Sequence, residues 1–406
     1  MRAIVPVFLF FVALLPAADA VGASGPVLAP AFPCDLNAKS ADRAGPGCAR
    51  AWFDANLRIN EIQTVGTAES YKLRPSRPML SLIKMGSAED ARQLDFSEPT
   101  IPEQLNAGAR SLEFDIAYDP KGGLYSNPAG ALLAMELLPD SYIADMSKPG
   151  FKVIHILDID FESSCINLTG CLRAVADWSH ANPGHLPIVV TLKSNDDRTP
   201  MPGATRPIKF DAAAFDALDA AILSVFNHNE LITPDMIQGS YPTLREAVLA
   251  GKWPTIGFSR GKILFLLDDS KEKVALYRGT RRCLEGRVMF VSTDSKSPAA
   301  GFTTVEDPVK AAAEITGYVK MGLIVRTFAD ANTKEARANN TLRRDKAFES
   351  GAQIVSTDFI VADKGIGKYQ VRVPHGRIGQ CNVQLTPQRC LNWDVEEGHG
   401  SVTANR

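Results

Sequence analysis

The sequence predicts an α/β chain folded as a (β/α)8 barrel, and three observations predict it. Eight short β-like runs occur in order, at residues 60–65, 111–117, 152–157, 187–192, 262–267, 287–291, 323–327 and 352–357. Most are near-continuous apolar runs rather than alternating ones, as in strands buried on both faces of a helix-covered parallel sheet. Helix-forming segments or long loops separate them. The rival architecture, a doubly wound open sheet, is signalled by a GxGxxG loop after the first strand, and none is present.

The first twenty residues stand apart from that fold. Arg2 gives a positive start, residues 4–15 are almost wholly apolar, and Ala18-Asp19-Ala20 is a small-x-small cleavage site. This is the layout of a secretory signal peptide over 1–20. Its apolar run is short for a bilayer span, and no later stretch is long enough. The mature chain is therefore expected to start near Val21 and to be secreted or otherwise exported, to the extracellular space or a periplasm. Residues 21–50 read as an N-terminal extension, 51–385 as the barrel and 386–406 as a C-terminal tail.

Between the strands, residues 167–181 carry Leu168, Leu172, Val175 and Trp178 at helical spacing, and 210–226 is a second amphipathic stretch. Thr243 and Glu246 form a capping box that opens a short helix. Asp307 and Pro308 read as an N-cap and first helical residue, with Gly322 past the end of that helix. Residues 332–350 are helix-rich and stop at Gly351, a natural left-handed cap.

All seven cysteines lie in the mature part. Six form short-range pairs: Cys34/Cys48, Cys165/Cys171 and Cys381/Cys390. Cys283 is left over. Export makes disulfides the natural reading, pinning the terminal extensions, with free buried thiols as the alternative. No CxxC or HxxxH spacing supports zinc. Forty-four Lys and Arg against 46 Asp and Glu give a net charge of -2, which argues against nucleic acid as a partner while leaving room for a local basic pocket.

In such a barrel active groups sit at the carboxyl ends of the strands. Gly66-Thr67-Ala68-Glu69-Ser70-Tyr71 follows the first strand. Glu113 and Asp115 lie near the end of the second, two apart and so on one face. Two adjacent carboxylates need a cation or a proton between them, and such a cluster suits calcium. A structural ion pair on an alternating strand explains the same two residues. His155 sits in the third run, where it is either a core histidine or a group placed for proton transfer near neutral pH. Asp158 and Asp160 follow it. Lys193 ends the fourth strand, Arg260 precedes the fifth, Asp268 and Asp269 end it, Arg326 ends the seventh and Asp358 the eighth. Lys193 and Arg326 suit a phosphate or are ordinary surface charges.

The whole pattern resembles the secreted, calcium-dependent phosphatidylinositol-specific phospholipases C. The resemblance begins at Ile62-Gln63-Thr64-Val65-Gly66-Thr67, with Ser70-Tyr71-Lys72 beyond. It continues through Ile101-Pro102-Glu103-Gln104-Leu105, Arg110-Ser111-Leu112-Glu113-Phe114-Asp115, Lys152-Val153-Ile154-His155 and Pro183-Gly184-His185-Leu186-Pro187. Arg260-Gly261-Lys262, Leu284-Glu285-Gly286-Arg287, Val325-Arg326-Thr327, Ser350-Gly351-Ala352-Gln353 and Ser356-Thr357-Asp358 complete it. It covers roughly residues 55–385, and the motifs are specific as a set.

The resemblance implies a distorted TIM barrel of the PLC-like phosphodiesterase type, with calcium at its mouth. There the inositol 2-hydroxyl attacks phosphorus and diacylglycerol leaves. It implies Glu113 and Asp115 as calcium ligands and His155 as a catalytic histidine; Glu69, which departs from the family, is the candidate for a third carboxylate on the cation. Lys193, Arg326 and Arg260 are the substrate-binding candidates. The family loop reads Gly-Thr-His-Asn-Ser-Tyr. Here its histidine is Ala68 and its asparagine Glu69, which makes Glu69 a candidate for part of the lost acid–base role. Thr191 stands for an acidic ligand and Phe328 for a second basic group. The expected function is a phosphoric diester hydrolase acting on a phosphoinositide-like lipid, weakened or altered at the site, with peripheral membrane contact. The alternative is a non-catalytic barrel that binds a phosphorylated polyol or lipid headgroup.

Overall fold

The structure, a computed structural model, describes residues 47–386, 390 and 393–398. The predicted signal peptide, most of the N-terminal extension and the Cys34 half of the Cys34/Cys48 pair lie outside the described residues.

Ten strands form one sheet: β1 (Ile62–Thr67), β2 (Ala109–Asp119), β3 (Gly150–Val153), β4 (Ile188–Ser194), β5 (Ile263–Leu267), β6 (Phe290–Val291), β7 (Phe302–Thr304), β8 (Ile324–Phe328), β9 (Ile354–Thr357) and β10 (Gly379–Cys381). Eight of them run in the order β6-β5-β4-β2-β1-β9-β8-β7, every neighbouring pair parallel. A parallel bridge from Ser292, just past β6, to Phe302 of β7 brings the two ends together. The result is a nearly closed (β/α)8 barrel, as predicted.

One predicted strand needs correction and one strand was missed. The third run does not enter the barrel wall. Its first residues form β3, which lies antiparallel along Ile116–Asp119 of β2. An apolar run states burial but not direction. β2 overshoots its partner β4, whose pairing ends at Ile116 and Ser194, and β3 covers the overshoot. The missing eighth strand is β7, three residues long, too short to show a period. β10 pairs antiparallel with Ile62–Thr64 of β1, below the point where β1 meets β2.

The alternation along β2 sorts its side chains. Leu112, Phe114 and Ile116 enter the apolar layer under the helices, which leaves Ser111, Glu113 and Asp115 for the barrel interior. The helix Leu168–Ala181 buries the predicted Leu168, Leu172, Val175 and Trp178 on that layer, each worth about 1.5–3 kcal/mol when fully buried. The helix expected from Pro308 begins later, at Ala312. Asp307 caps a preceding turn instead, accepting from the Val309 N–H at 3.0 Å. Residues 332–350 hold two helices, Lys334–Ala338 and Leu342–Glu349. Cys165–Cys171 and Cys381–Cys390 are disulfide-bonded, and Cys283 is a buried free thiol. Among the described residues no helix is long and apolar enough to cross a membrane.

Candidate active site

The first catalytic-loop candidate starts where β1 leaves the barrel. Gly66 is needed there for close approach, because a Cβ would stand 2.4 Å from the Ser111 Cβ and 2.8 Å from its carbonyl oxygen. The loop is then fixed from two sides. The Ser70 N–H donates to the Glu113 carbonyl at 3.0 Å, and the Ser70 Oγ accepts from the Glu113 N–H at 2.8 Å. Gln104, from the helix Ile101–Asn106, accepts from Thr67 Oγ1 and donates to the Ser70 carbonyl, both at 2.6 Å. Held this way, Glu69 adopts φ 45°. A left-handed conformation costs a β-carbon residue roughly 1–2 kcal/mol, less for asparagine than for glutamate.

That turn aims Glu69 at His155. Glu69 Oε1 lies 3.1 Å from His155 Nε2, and Asp160 Oδ2 lies 2.8 Å from Nδ1. Lys72 Nζ, wholly buried, completes the string at 2.8 Å from the same Asp160 oxygen. Burial works against the charged imidazole, but the Glu69, Asp160 and Asp115 carboxylates outweigh it and hold His155 up at about 9. Asp160 stays below the usual carboxylate range, because His155 and Lys72 overcome its burial. His155 is therefore an imidazolium at neutral pH, with one ring nitrogen anchored and the other on the cavity side.

A second charge cluster lies across the mouth. Lys193 Nζ sits 3.1 Å from Glu113 Oε1, and Arg326 Nη2 contacts Glu113 Oε2. Burial opposes the ionised Glu113, yet these two cations prevail and hold its carboxyl well down. Asp115, two residues on, has no such partner. Burial and the Glu113 charge push it up, and one of its oxygens accepts from the Tyr71 hydroxyl at 3.0 Å. The Phe328 ring lies beneath both cations, 4.5 Å from the Arg326 Cζ and 5.9 Å from the Lys193 Nζ.

A third group walls the mouth with carboxylates. Asp330 accepts from the Asp358 N–H at 2.9 Å and from the Tyr369 hydroxyl at 3.2 Å. Glu98 is buried with neither carboxylate oxygen partnered. Burial, then neighbouring negative charge, pushes both Glu98 and Asp358 far above the carboxylate range. These clusters surround an open cavity of about 490 Å³ lined by Ala68, Glu69, Glu113, His155, Lys193 and Phe328, with Asp330, Arg343 and Asp358 at its side.

The structure thus brings most of the predicted site together. Glu69, Glu113, His155 and Lys193 line the cavity, Arg326 stands behind Glu113, and Asp115 lies against Tyr71. Arg260 is the exception and is withdrawn as a substrate ligand. It precedes β5, so it lies at the amino end of the barrel, away from the mouth. There its Nε reaches Asp54 at 2.7 Å, and its other nitrogens donate to the Gly184 and Val395 carbonyls at 2.9 Å. Sequence reading missed Lys72 as the third member of the His155 string, and also Glu98 and Arg343. Lys72 lay within the first matched motif, which was the available signal. Glu98 and Arg343 gave none.

Calcium takes about six to eight oxygen ligands, with carboxylates free to turn toward it. Among the described residues no group of three or more acidic, histidine or cysteine side chains is arranged to hold a metal ion. Both Glu113 oxygens are engaged by protein cations. Of the predicted ligand set, only Glu69 Oε2 and Asp115 Oδ1 are buried without a partner. Glu69, Glu113 and Asp115 as placed do not fit a calcium ion.

Solved structures similar to the chain include the calcium-dependent phosphoinositol-specific phospholipase C of a Pseudomonas species, at 17% identity and TM-score 0.47 over 78% of this chain and 96% of that one. The Streptomyces antibioticus Ca2+-dependent phosphatidylinositol-specific phospholipase C gives 17% and 0.47 over 75% and 95%. The Listeria monocytogenes phosphatidylinositol-specific phospholipase C gives 12% and 0.42 over 77% and 94%. No curated protein matches. Residues 57–383 match the family profile described as phosphoinositide phospholipase C, Ca2+-dependent, and the chain belongs to that family.

Proposed function

We propose that the chain is a phosphoric diester hydrolase of the phosphoinositide phospholipase C type, acting on phosphatidylinositol-like lipids with chemistry altered at Ala68 and Glu69. The observation that carries this reading is His155, held between Glu69 and Asp160 on the wall of the mouth cavity. When the neighbouring inositol hydroxyl attacks phosphorus, one P–O bond forms and the bond to the diacylglycerol oxygen breaks. The attacking hydroxyl must lose a proton and the leaving oxygen must gain one. On this wall the His155 imidazolium is the donor to the leaving oxygen, and Glu69, on its Nε2, holds the ring for that transfer. Lys193, half exposed in the cavity, contributes positive charge toward the phosphoryl oxygens.

In-line displacement needs its acceptor and donor on opposite sides of phosphorus. Glu69 and His155 are 3.1 Å apart and serve one side. The family's other proton-transfer group is the histidine whose place Ala68 takes, and alanine neither accepts nor donates through its side chain. A missing acid–base group costs on the order of 10²–10⁴ in rate, so turnover below the family's usual range follows. Calcium is the family's cofactor, but no step is assigned to it here because the predicted ligands do not fit it. The second reading, a headgroup-binding barrel without turnover, is favoured by Ala68.

A lipid substrate also suits the surface beside the mouth. The helix Ala129–Leu133 is tied to the His155 loop through the Gly130 N–H on the Asp158 carbonyl at 3.0 Å. It leads into Met135 and Leu137, 91% and 97% exposed. With residues 1–20 as an export signal, 51–385 as the catalytic barrel and 386–406 as a tail, the enzyme meets its lipid outside the cytoplasm.

The test is turnover of phosphatidylinositol vesicles and a soluble inositol aryl phosphodiester by the purified mature chain, beside His155→Ala. Slow hydrolysis that His155→Ala removes is expected. If neither substrate turns over above that control, the hydrolase reading fails. Stabilisation of the same protein by inositol 1-phosphate would then favour the binding reading.

A further inference from the structure

We infer that this chain satisfies its Glu113 carboxylate with an internal cation clamp, Arg326 and Lys193 gathered on the Phe328 ring, and that the clamp excludes calcium from that carboxylate. The inference takes its location from the proposed site but does not depend on turnover there. It stands on how completely Glu113 is engaged. One oxygen faces Lys193 Nζ at 3.1 Å and the other faces Arg326 Nη2.

Arg326 is not a side chain that swings aside for an entering ion. It is fully buried. Its Nε donates to Ser356 Oγ at 2.8 Å, and its Nη1 lies 3.4 Å from Asp268 Oδ2. Asp268 is in turn fixed by the Thr304 hydroxyl at 2.8 Å. The guanidinium therefore has one partner on β9, beside β8, and another just past β5. Breaking the Glu113 contact would leave the buried guanidinium with only the longer Asp268 contact to offset its charge.

Phe328 supplies what holds the two cations together. Their mutual repulsion opposes placing both on one carboxylate. The ring beneath them, 4.5 Å and 5.9 Å away, offers its negative face to each. The strand register adds a hydroxyl where another carboxylate would help a metal, since Thr191 pairs with Glu113 and Lys193 with Asp115 across β2 and β4. Its Thr191 Oγ1 has no partner. A divalent ion arriving at Glu113 would meet two fixed positive charges and one carboxylate already shared.

The test is thermal unfolding of the mature chain in EDTA and in millimolar CaCl2, with calorimetric titration of CaCl2 as a second reading. The wild type is expected to shift by less than about 1 °C, whereas a site at roughly 100 times its Kd would shift by several degrees. Lys193→Met removes the half-exposed arm of the clamp without opening the core, and is expected to acquire a calcium-dependent rise in Tm. Arg326→Met should show a larger one if it folds, and Lys193→Met carries the test if it does not. Calcium stabilisation of the wild type that Glu113→Gln abolishes overturns the inference. So does a Lys193→Met protein that remains blind to calcium. Calcium stabilisation that survives Glu113→Gln supports it, because the ion then binds elsewhere. None of these readings uses catalysis, so an inactive protein still answers the question.

Discussion

At the amino end of the barrel, Arg110 spends its guanidinium on both Glu396 oxygens and on the Leu105 and Ala109 carbonyls. Arg260 is spent in the same way on Asp54, Gly184 and Val395. At the carboxyl end, buried oxygens of Glu69, Glu98, Asp115, Asp160 and Thr191 have no partner at all. Both ends bury charge. One end satisfies it with the protein's own groups, and the other leaves part of it open around a cavity. Buried polar atoms are nearly always paired in native structures. Among the described residues Asn60, Ser111 and Arg377 also bury unpaired atoms, but every unpaired carboxylate oxygen belongs to the mouth group, which is where a ligand would be accommodated at some cost in stability. The floor of the barrel holds the fold, and the mouth is where substrate would be met.

The comparison breaks most visibly at the floor. Arg110→Met leaves the buried Glu396 without its counter-charge, with only the Leu186 N–H still donating to its carboxylate, which should cost about 3–5 kcal/mol in denaturant unfolding. Activity per folded molecule should be unchanged. A variant that unfolds no more easily than wild type would show that the floor is not the stable end.

A smaller effect should appear with pH. His155 rises from 6.5 to about 9 on folding. A raised pKa means that the folded state binds the proton more tightly. The contribution is therefore complete below about 6.5 and is lost as pH rises through about 9. At 1.36 kcal/mol per unit it is at most about 3 kcal/mol. Unfolding free energy measured across that window should fall, and His155→Gln should flatten the fall. An equally steep decline in the variant would assign it to other groups.

The smallest effect belongs to the mouth's outer surface. Leu137→Ser alters a side chain 97% exposed, so stability should change by less than about 0.5 kcal/mol. Vesicle binding and vesicle turnover should drop several-fold while the soluble substrate is unaffected. Equal loss on both substrates would remove the membrane role.

Much of the fold was legible because seven of the eight predicted runs are barrel strands with continuous apolar cores. The third failed because the Lys152–Leu157 run reports burial, and burial is shared by β3 and by true wall strands. The site was legible wherever strand period placed residues, as with Glu113 and Asp115. Arg260 and Arg326 could not be told apart by composition. Each is an arginine next to a strand, but Arg260 precedes β5 and Arg326 lies within β8, so they end up at opposite ends of the barrel. Phe328 read only as a lost basic group. Its role under two cations needs three strands in contact, which no single segment encodes. Lys72 was likewise invisible as a partner of Asp160, 88 residues away in sequence.

The most direct test sets the two ends side by side. Hydrolysis of phosphatidylinositol per folded molecule should be measured for wild type, His155→Gln and Arg110→Met at one pH. The account predicts that His155→Gln loses at least about 100-fold while Arg110→Met keeps the wild-type rate. Retained hydrolysis in His155→Gln, or its loss in folded Arg110→Met, would contradict it.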